Sequence, residues 1–303
     1  MVPHGFRKKG IRKNKMNYQW YPGHMTKAKR MMEENIKLID LLIELVDARI
    51  PISSRNPDID ALGKNKSRMV LLNKSDLASE KENEAWMNYS EAQGLHAVKV
   101  NSKTGAGVKS IQAVVKEACK EKIERDRKRG ILNRPIRAMV VGIPNVGKST
   151  FINSFAGKAC AKTGNKPGVT KGKQWIKLNK NLELLDTPGI LWPKFEDQRA
   201  GLHLALIGSM NDQILNMEEM AVSLITLLEE NYQGVLEEKY RFTVDEKEEL
   251  PWQVRILKAI AVSRNCIGKG GEADLLKAAS FLIDDFRGGK IGRITLEFPE
   301  SEA

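Results

Sequence analysis

The chain of 303 residues is 41% hydrophobic and 29% charged, a composition typical of folded globular proteins that excludes wholesale disorder. No stretch approaches the ~18 apolar residues of a membrane span, and the N-terminus lacks the apolar core of a secretory signal. Three cysteines far apart and four scattered histidines argue against a disulfide scaffold and a metal cluster. We therefore expect about two domains, a cytoplasmic location and no membrane association.

The net charge of +12 is unevenly distributed. Residues 1–30 hold nine Lys or Arg and no acid, and residues 158–181 hold seven lysines and no acid, whereas residues 213–250 hold ten acids and three bases. This surplus indicates a polyanionic partner such as nucleic acid. Residues 1–17 form a basic leader that we expect to be flexible. A nucleic-acid-contacting arm and an organelle-targeting segment are the alternatives, and Met16 is an alternative start.

The first two thirds of the chain alternate between strand and helix patterns. Residues 26–36 and 80–93 have helical spacing, and residues 108–129 form a longer helical pattern. Four short, mainly apolar runs are typical of buried parallel strands: residues 38–46, 69–72, 97–100 and 136–141. Residues 174–178 and 182–185 predict a strand pair. This order predicts an α/β fold, an open parallel sheet with helices on both faces.

The last third of the chain changes character. After a predicted helix at 198–207, helical patterns occupy residues 217–233, 252–265 and 273–287, with one candidate strand at 292–298. We place an α/β domain at residues 18–210 and a small all-helical C-terminal domain at 213–303.

A phosphate-binding loop follows the strand predicted at 136–141. The segment Gly142-Ile-Pro-Asn-Val-Gly-Lys-Ser149 matches G-x-x-x-x-G-K-[ST] and opens a helix at 150–155. Backbone N–H groups of such a loop surround the β-phosphate, Lys148 reaches the β/γ-phosphates and Ser149 is a Mg²⁺ ligand. The residues assigned to the phosphates are Asn145, Val146, Gly147, Lys148, Ser149, Thr150 and Gly189.

A second phosphate-side motif, Asp186-Thr-Pro-Gly189, follows the strand predicted at 182–185. Asp186 can hold Mg²⁺ through water, and the Gly189 N–H can contact the γ-phosphate. Between the two motifs lies Pro167-Gly-Val-Thr170, and we assign Thr170, rather than Thr163, to the Mg²⁺ shell as a switch-loop threonine.

Two further strand ends carry residues that recognise a guanine base. Asn73-Lys-Ser-Asp76 fits N-K-x-D, in which Asp76 accepts hydrogen bonds from guanine N1–H and N2, donors that adenine lacks. We expect this carboxylate to be buried, the Lys74 stem to lie over the base, and Asn73 to tie the loop to the phosphate loop. Val100-Asn-Ser-Lys103, at the end of the strand predicted at 97–100, resembles the S-A-K element, in which a backbone N–H meets guanine O6. The residues assigned to the base are Asn73, Lys74, Ser75, Asp76, Asn101, Ser102 and Lys103.

The order of these motifs predicts a circular permutation. In ordinary GTPases the phosphate loop, threonine and DxxG precede NKxD, whereas in this sequence NKxD comes first. Chain termini that lie close together make such a rearrangement tolerable. The predicted fold class is therefore a circularly permuted P-loop GTPase domain that binds GTP and GDP, followed by helices. The chain passes from DTPG into the helical domain, which would let switch movement act on that domain.

These motifs together with Tyr21-Pro-Gly-His-Met25 resemble the bacterial ribosome biogenesis GTPase A family (YlqF/YawG type). The resemblance covers nearly the whole chain, although the basic leader is longer than the family pattern. It implies a GTPase that acts late in maturation of the large ribosomal subunit, with the precursor particle and rRNA as partners and the helical domain as the contacting module. We expect a monomer.

The phosphate and base motifs do not by themselves identify the catalytic group. Ile190 stands where Ras-like enzymes carry the water-orienting glutamine, so intrinsic hydrolysis should be slow. The resemblance implies His24, placed in a Gly/Pro loop, as the catalytic group, and Asn145 as a K⁺ ligand. The alternatives are a structural or RNA-contacting His24 and a loop-stabilising Asn145.

Two other functions stay open at this stage. One is a GTPase switch that acts on another RNA or on an RNA-modification partner. The other is an RNA-binding scaffold with a vestigial nucleotide site, which the presence of Lys148, Ser149, Asp186 and Asp76 argues against.

Overall fold

The computed structural model describes residues 24–132, 134–157, 160, 174–187, 189, 197–245 and 247–299, with the backbone alone for residues 24–28 and 174. The strands are β1 (Leu41–Asp47), β2 (Ser67–Asn73), β3 (His96–Val100), β4 (Ile136–Val141), β5 (Gln174–Asn179) and β6 (Leu182–Asp186). The helices of the first part are α1 (His24–Asn35), α2 (Asp58–Leu62), α3 (Glu80–Ala92), α4 (Ile111–Ala118), α5 (Lys120–Lys128), α6 (Lys148–Ala156) and α7 (Gln198–Leu206). The helices that follow are α8 (Met217–Asn231), α9 (Val235–Tyr240), α10 (Trp252–Ser263) and α11 (Leu275–Arg287).

The six strands form one sheet in the order β3-β2-β1-β4-β6-β5. All neighbours are parallel except β5 and β6, which form the predicted antiparallel pair at one edge. The register places Asp47 of β1 opposite Asn73 of β2, and Val140 of β4 opposite Asp186 of β6. The parallel strands therefore end at one edge of the sheet, which is where open α/β sheets bind ligands.

Apolar side chains bury the sheet on both faces. Every residue of the central strand β1 is buried, including Glu44 and Asp47 among its Leu, Ile and Val side chains. A cluster around Val46, Val70 and Leu72 includes Trp86 of α3, so this helix covers one face. The larger core includes side chains from all six strands and continues into α8, α10 and α11.

Two predicted element boundaries differ from the structure. The strand predicted from residue 38 begins at Leu41, because residues 36–38 form a 3-10 turn after α1. The helix predicted at 108–129 is a 3-10 turn followed by α4 and α5, which are separated at Cys119. The predicted helices beyond residue 213 are confirmed as α8, α10 and α11, whereas the short α2 and α9 were not predicted.

The C-terminal strap, residues 288–299, returns from α11 to the α/β layer. The prediction of a strand at 292–298 is wrong, since the strap forms hydrogen bonds with loops and not with a strand of the sheet. Ile294 N–H donates to Leu77 O at 2.9 Å, and Leu296 N–H donates to Arg49 O at 2.8 Å. The last residues of the helical part are therefore fixed on the loops that follow β1 and β2.

Within the described residues, no helix is long and apolar enough to cross a membrane. The same residues contain no group of three or more His, Cys, Asp or Glu side chains that could hold a metal ion, and Cys119, Cys160 and Cys266 form no disulfide bond there.

Candidate nucleotide-binding site

The phosphate loop connects β4 to the first turn of α6. Gly142 and Gly147 have φ angles of 155° and 98°. A Cβ atom at Gly142 would lie 2.6 Å from Leu45 O, and one at Gly147 would lie 2.5 Å from the Asn73 side chain. Both positions therefore require glycine, for backbone angle and for space. The loop ends at the N-terminus of α6, where unpaired N–H groups favour an anion.

Asn73 joins three loops at the carboxyl edge of the sheet. Its Nδ2 donates to Val146 O of the phosphate loop at 2.7 Å. Its Oδ1 accepts from the Ser102 hydroxyl at 2.7 Å and from Ser102 N–H at 3.2 Å. Asn73 and Ser102 are both buried. The expected link between Asn73 and the phosphate loop is confirmed, and the same side chain also holds the loop after β3.

Lys148 and Asp186 form the charged centre of the phosphate side. Lys148 Nζ donates to Gly142 O at 3.0 Å and to Ile143 O at 2.9 Å. Burial lowers the pKa of Lys148 to about 8, although the Asp186 carboxylate opposes that shift. Burial likewise raises the pKa of Asp186 to about 6 against the opposing charge of Lys148. Asp186 Oδ1 is buried and has no hydrogen-bond partner among the described residues, so this oxygen is available to a cation or its water.

The segment after β6 lies directly on the phosphate loop. The Thr187 hydroxyl donates to Val140 O at 2.7 Å. A Cβ atom at Gly189 would lie 2.8 Å from Pro144 N and 2.9 Å from Lys148 Nζ, so its backbone touches the phosphate loop. Ser149 and Thr150, in the first turn of α6, are half-buried. The structure thus brings both phosphate-side motifs together.

Asn145 connects the phosphate loop to the end of α7. Its Nδ2 donates to Gly208 O at 2.7 Å, and the Ser209 hydroxyl donates to Pro144 O at 2.9 Å. Arg287 at the end of α11 caps α7 by donating to Leu206 O at 3.0 Å and Ala205 O at 2.8 Å. These bonds show Asn145 in a loop-stabilising role.

The base-recognition loop starts at Lys74, which has a left-handed φ of 57°. Lys74 Nζ lies 2.9 Å from Asp47 Oδ2. The Ser75 hydroxyl donates to Val100 O at 3.1 Å. Asp76 is exposed, so the expectation that this carboxylate is buried is wrong for the chain alone. The reason is position, since Asp76 lies beyond the buried end of β2, on the rim of a groove of about 650 Å³ along the β3 edge.

The second base element is closed by its own hydrogen bonds. Asn101 Oδ1 accepts from Lys103 N–H at 2.9 Å and from Thr104 N–H at 3.1 Å. Ser102 N–H donates to Asn73. The backbone donors that the sequence assigned to guanine O6 therefore have partners within the protein.

The C-terminal strap holds the base-recognition loop from outside. Arg293 donates to Ser75 O at 3.0 Å and to Ala78 O at 2.8 Å. Ser79 N–H donates to the Thr295 hydroxyl at 3.1 Å. The Glu297 carboxylate accepts from Ile52 N–H at 2.7 Å. The loop that carries Asp76 is thus fixed by residues from the far end of the chain.

Several predicted residues lie outside the described part of the chain. These are the basic leader, the segment around Thr170, Thr163 and Ile190. Only the backbone of His24 is described, as the first residue of α1, so its predicted place in a loop is wrong.

Sequence reasoning missed residues that hold the base-recognition loop: Asp47 at the end of β1, Arg49 beside it, and Arg293 and Thr295 of the strap. Asp47 is a fully buried charged residue at the end of a mainly apolar strand, which is a usable signal. The contact of Arg49 with α11 and those of Arg293 and Thr295 with the base-recognition loop join residues far apart in sequence, so they gave no comparable signal.

Comparisons with known proteins agree with this geometry. Residues 137–253 match the family model described as 50S ribosome-binding GTPase. Ribosome biogenesis GTPase A of Bacillus cereus is 48% identical over 286 residues, which cover 94% of this chain and 95% of that protein. Its counterpart in Priestia megaterium is 48% identical over 290 residues, 95% of this chain and 99% of that protein.

Among solved structures, GNP-bound YlqF from T. maritima is similar with a TM-score of 0.62 and 26% identity, covering 91% of this chain and 99% of that one. Its fold agrees with the sheet and the helical part described above. The chain therefore belongs to the ribosome biogenesis GTPase A family, with its motifs in circularly permuted order, and is a GTPase.

Proposed function

We propose that GTP lies across the carboxyl edge of the sheet, with its phosphates on the phosphate loop and its base against residues 73–76 and 101–103. The observation that supports this most strongly is Asn73, which bonds to the phosphate loop and to the loop after β3 at once. One buried side chain thereby sets the spacing between the phosphate end and the base end of the ligand.

The described residues fit Mg²⁺ at the phosphate end. Asp186 supplies a buried carboxylate oxygen without a partner, and Ser149 supplies a hydroxyl in the first turn of α6. Hard oxygen ligands are those that Mg²⁺ prefers. We assign Ser149, Asp186 through water and Thr170 to the metal. When bound, Mg²⁺ neutralises charge on the β- and γ-phosphates.

Lys148 is the protein's own charge at this end. Its ammonium contacts two carbonyl oxygens of its loop, and a bound phosphate would replace these neutral acceptors with anionic ones. Because the pKa of Lys148 is lowered by burial, a phosphate beside it would restore the protonated form. A Cβ atom at Gly189 would lie 2.9 Å from Lys148 Nζ, so the Gly189 N–H and the lysine would both contact the γ-phosphate.

The proposed catalytic assistance comes from His24, with K⁺ at Asn145 as a second contributor. His24 begins α1, and Ile190 cannot orient water. For K⁺, Asn145 Nδ2 already donates to Gly208, which leaves Oδ1 as the ligand atom. His24→Ala should remove most of a particle-stimulated rate, about 100-fold, while GTP and particle binding persist. A full rate in that variant would assign the role to the K⁺ site, which replacement of KCl by NaCl tests separately.

We further propose that the chain acts in late maturation of the large ribosomal subunit, as a cytoplasmic monomer that contacts rRNA on the precursor particle. The net charge of +12 and the basic residues 1–30 and 158–181 support a polyanionic partner. Residues 18–210 would be the GTPase domain, and residues 213–303 the module that contacts the particle. Asn145 bonds to Gly208 at the end of α7, and Arg287 of that module bonds to Leu206 and Ala205, so the end of α7 links the phosphate loop with the module.

Asp76→Asn tests base recognition. The substitution replaces an acceptor with a donor, so GTP affinity should fall about 100-fold and XTP affinity should rise. Equal GTP affinity and no gain for XTP would show that the guanine reader is elsewhere.

The same variant gives a sharp test of the ribosomal role. The parent should sediment with precursor particles more tightly with a GTP analogue than with GDP, whereas Asp76→Asn should respond to the xanthine analogue. Equal sedimentation of the parent with GDP and GTP analogue would leave only constitutive RNA binding.

A further inference from the structure

The Lys74 ammonium forms an ion pair with the buried carboxylate of Asp47. Asp47 is fully buried, and its Oδ2 lies 2.9 Å from Lys74 Nζ. The Lys74 side chain is 26% exposed, so its stem reaches the surface while its ammonium points inward to Asp47. The strand register explains this contact, because Asp47 lies opposite Asn73, the residue before Lys74.

Arg49 fixes both oxygens of the Asp47 carboxylate. Arg49 Nε donates to Oδ1 and Arg49 NH2 to Oδ2, each at 2.8 Å, which is a bidentate pair. The Asp47 N–H donates to the Ser54 hydroxyl at 3.0 Å. Burial alone would raise the pKa of Asp47, but Arg49 and Lys74 outweigh it and hold that pKa below its ordinary value. The carboxylate is therefore charged and locked in one orientation.

Arg49 is itself fixed by the end of the helical part. Its NH1 donates to Arg287 O at 3.3 Å, and its guanidinium lies 5.4 Å from the centre of the Phe286 ring. Its own carbonyl accepts from Leu296 N–H. The buried pair thus connects the base-recognition loop with the end of α11 and with the C-terminal strap.

We propose that Asp47 and Arg49 are positioning residues for base recognition: they hold the Lys74 ammonium in place so that its stem forms a rigid platform for the guanine ring. This inference rests on the proposed function, in which residues 73–76 receive the base. The pair touches Lys74 and not the nucleotide.

The physical reason lies in the lysine side chain. A free lysine side chain loses rotamer entropy when it is ordered, a cost that binding of a base would otherwise have to offset. Anchoring Nζ on Asp47 orders the stem before the base arrives. Burial lowers the pKa of Lys74, and the Asp47 carboxylate opposes that loss of charge. The bidentate pair with Arg49 holds the Asp47 carboxylate in its buried position.

The test is a double-mutant cycle on the affinity for GDP carrying a fluorescent label. Asp47→Asn should weaken GDP binding about tenfold, and Arg49→Lys, which keeps one cation but loses the bidentate pair, about threefold. In a Lys74→Ala background, each substitution should change the dissociation constant by less than about twofold, since the group through which it acts is absent.

The control is Arg55→Lys, which alters another ion-paired arginine, bonded to Glu44 and Asp60, and should leave GDP affinity unchanged. The proposal is overturned if Asp47→Asn changes GDP affinity equally in the parent and in Lys74→Ala, or does not change it in the parent. If Asp47→Asn fails to fold, the same comparison is made with Arg49→Lys. A failure of Arg49→Lys to fold would give the pair a structural role and overturn the proposal too.

Asp76→Asn separates this proposal from the one on which it rests. If that variant changes base preference but the cycle shows no coupling, only the positioning role fails. If it does not change base preference, the base site itself is misplaced.

Discussion

The base end and the phosphate end of the site are stabilised in opposite ways. At the base end, Asn73 has partners on both atoms of its amide, and Lys74 has a buried counter-ion. At the phosphate end, Asp186 Oδ1 is buried without a described partner. Burial raises the pKa of Asp186 and lowers that of Lys148, and both shifts favour the neutral form of the side chain.

This difference shows which part of the site the protein completes by itself. The base end is ordered by contacts within the chain, so a guanine bound there, as we propose, would meet groups that are already placed. The phosphate end carries charges that low-dielectric surroundings disfavour, and anionic phosphates with a divalent cation would relieve that cost. The base end should therefore respond to mutation through stability and affinity together, and the phosphate end through affinity alone.

Lys148→Ala gives the largest expected effect. GTP affinity should fall at least about 100-fold, because a charge-assisted contact to two phosphates is lost. In the absence of nucleotide, the free energy of unfolding should stay equal or rise, since a buried amine is removed. Titration with labelled GTP and urea unfolding measure the two quantities, with Lys180→Ala, an exposed lysine in the turn after β5, as control. A large loss of stability in Lys148→Ala would contradict the difference drawn between the phosphate end and the base end.

Asn73→Ala should lower both the free energy of unfolding and the affinity for GTP. The substitution leaves Val146 O and the Ser102 hydroxyl without their partner, at about 1–3 kcal/mol for each unsatisfied buried group. We expect the free energy of unfolding to fall by about 2–3 kcal/mol and GTP affinity by about tenfold. Asn181→Ala, in the exposed turn before β6, is the matched control. Lower affinity at unchanged stability would show that Asn73 acts only on the ligand.

The pH dependence of stability should identify Asp186. Because its pKa is raised from 3.8 to about 6 in the folded chain, the folded state binds a proton that the unfolded state releases between pH 4 and 6. Its contribution to stability is therefore greatest below pH 4 and decreases as pH rises to 6, by about 2–3 kcal/mol. Urea unfolding of the parent and of Asp186→Asn with EDTA measures this. An unchanged difference between the two proteins across that range would contradict the shift.

Glu297→Gln tests the strap and should have the smallest effect. Its carboxylate accepts from Ile52 N–H and from Ser53 N–H at 3.1 Å, and it lies 2.9 Å from His203 Nδ1. One amide group in its place would face these donors, so the free energy of unfolding should fall by about 1–2 kcal/mol, with GTP affinity changed less than about threefold. Glu272→Gln, on the exposed surface, is the control. A larger loss of affinity than of stability would give the strap a direct role in binding.

The sequence alone predicted the elements that carry a local signal. The four mainly apolar runs became β1 to β4, because short runs of aliphatic residues between helical segments are typical of buried parallel strands. The phosphate loop and the Asn73 junction followed from residue types whose chemistry is strict, glycine for space and asparagine for a donor and an acceptor. The permuted order was visible because motif order is itself a property of the sequence.

Only the tertiary structure decided what holds the base loop. The contact of Asp47 with Lys74 depends on strand register, and that of Arg49 with Arg287 joins residues distant in the chain. Residues 292–298 have an alternating pattern, but they lie against loops, because the backbone N–H groups of Ile294 and Leu296 donate to Leu77 O and Arg49 O and not to an edge strand. Local preference cannot encode such placement, since hydrogen-bond partners far apart in sequence are chosen by how the whole chain packs.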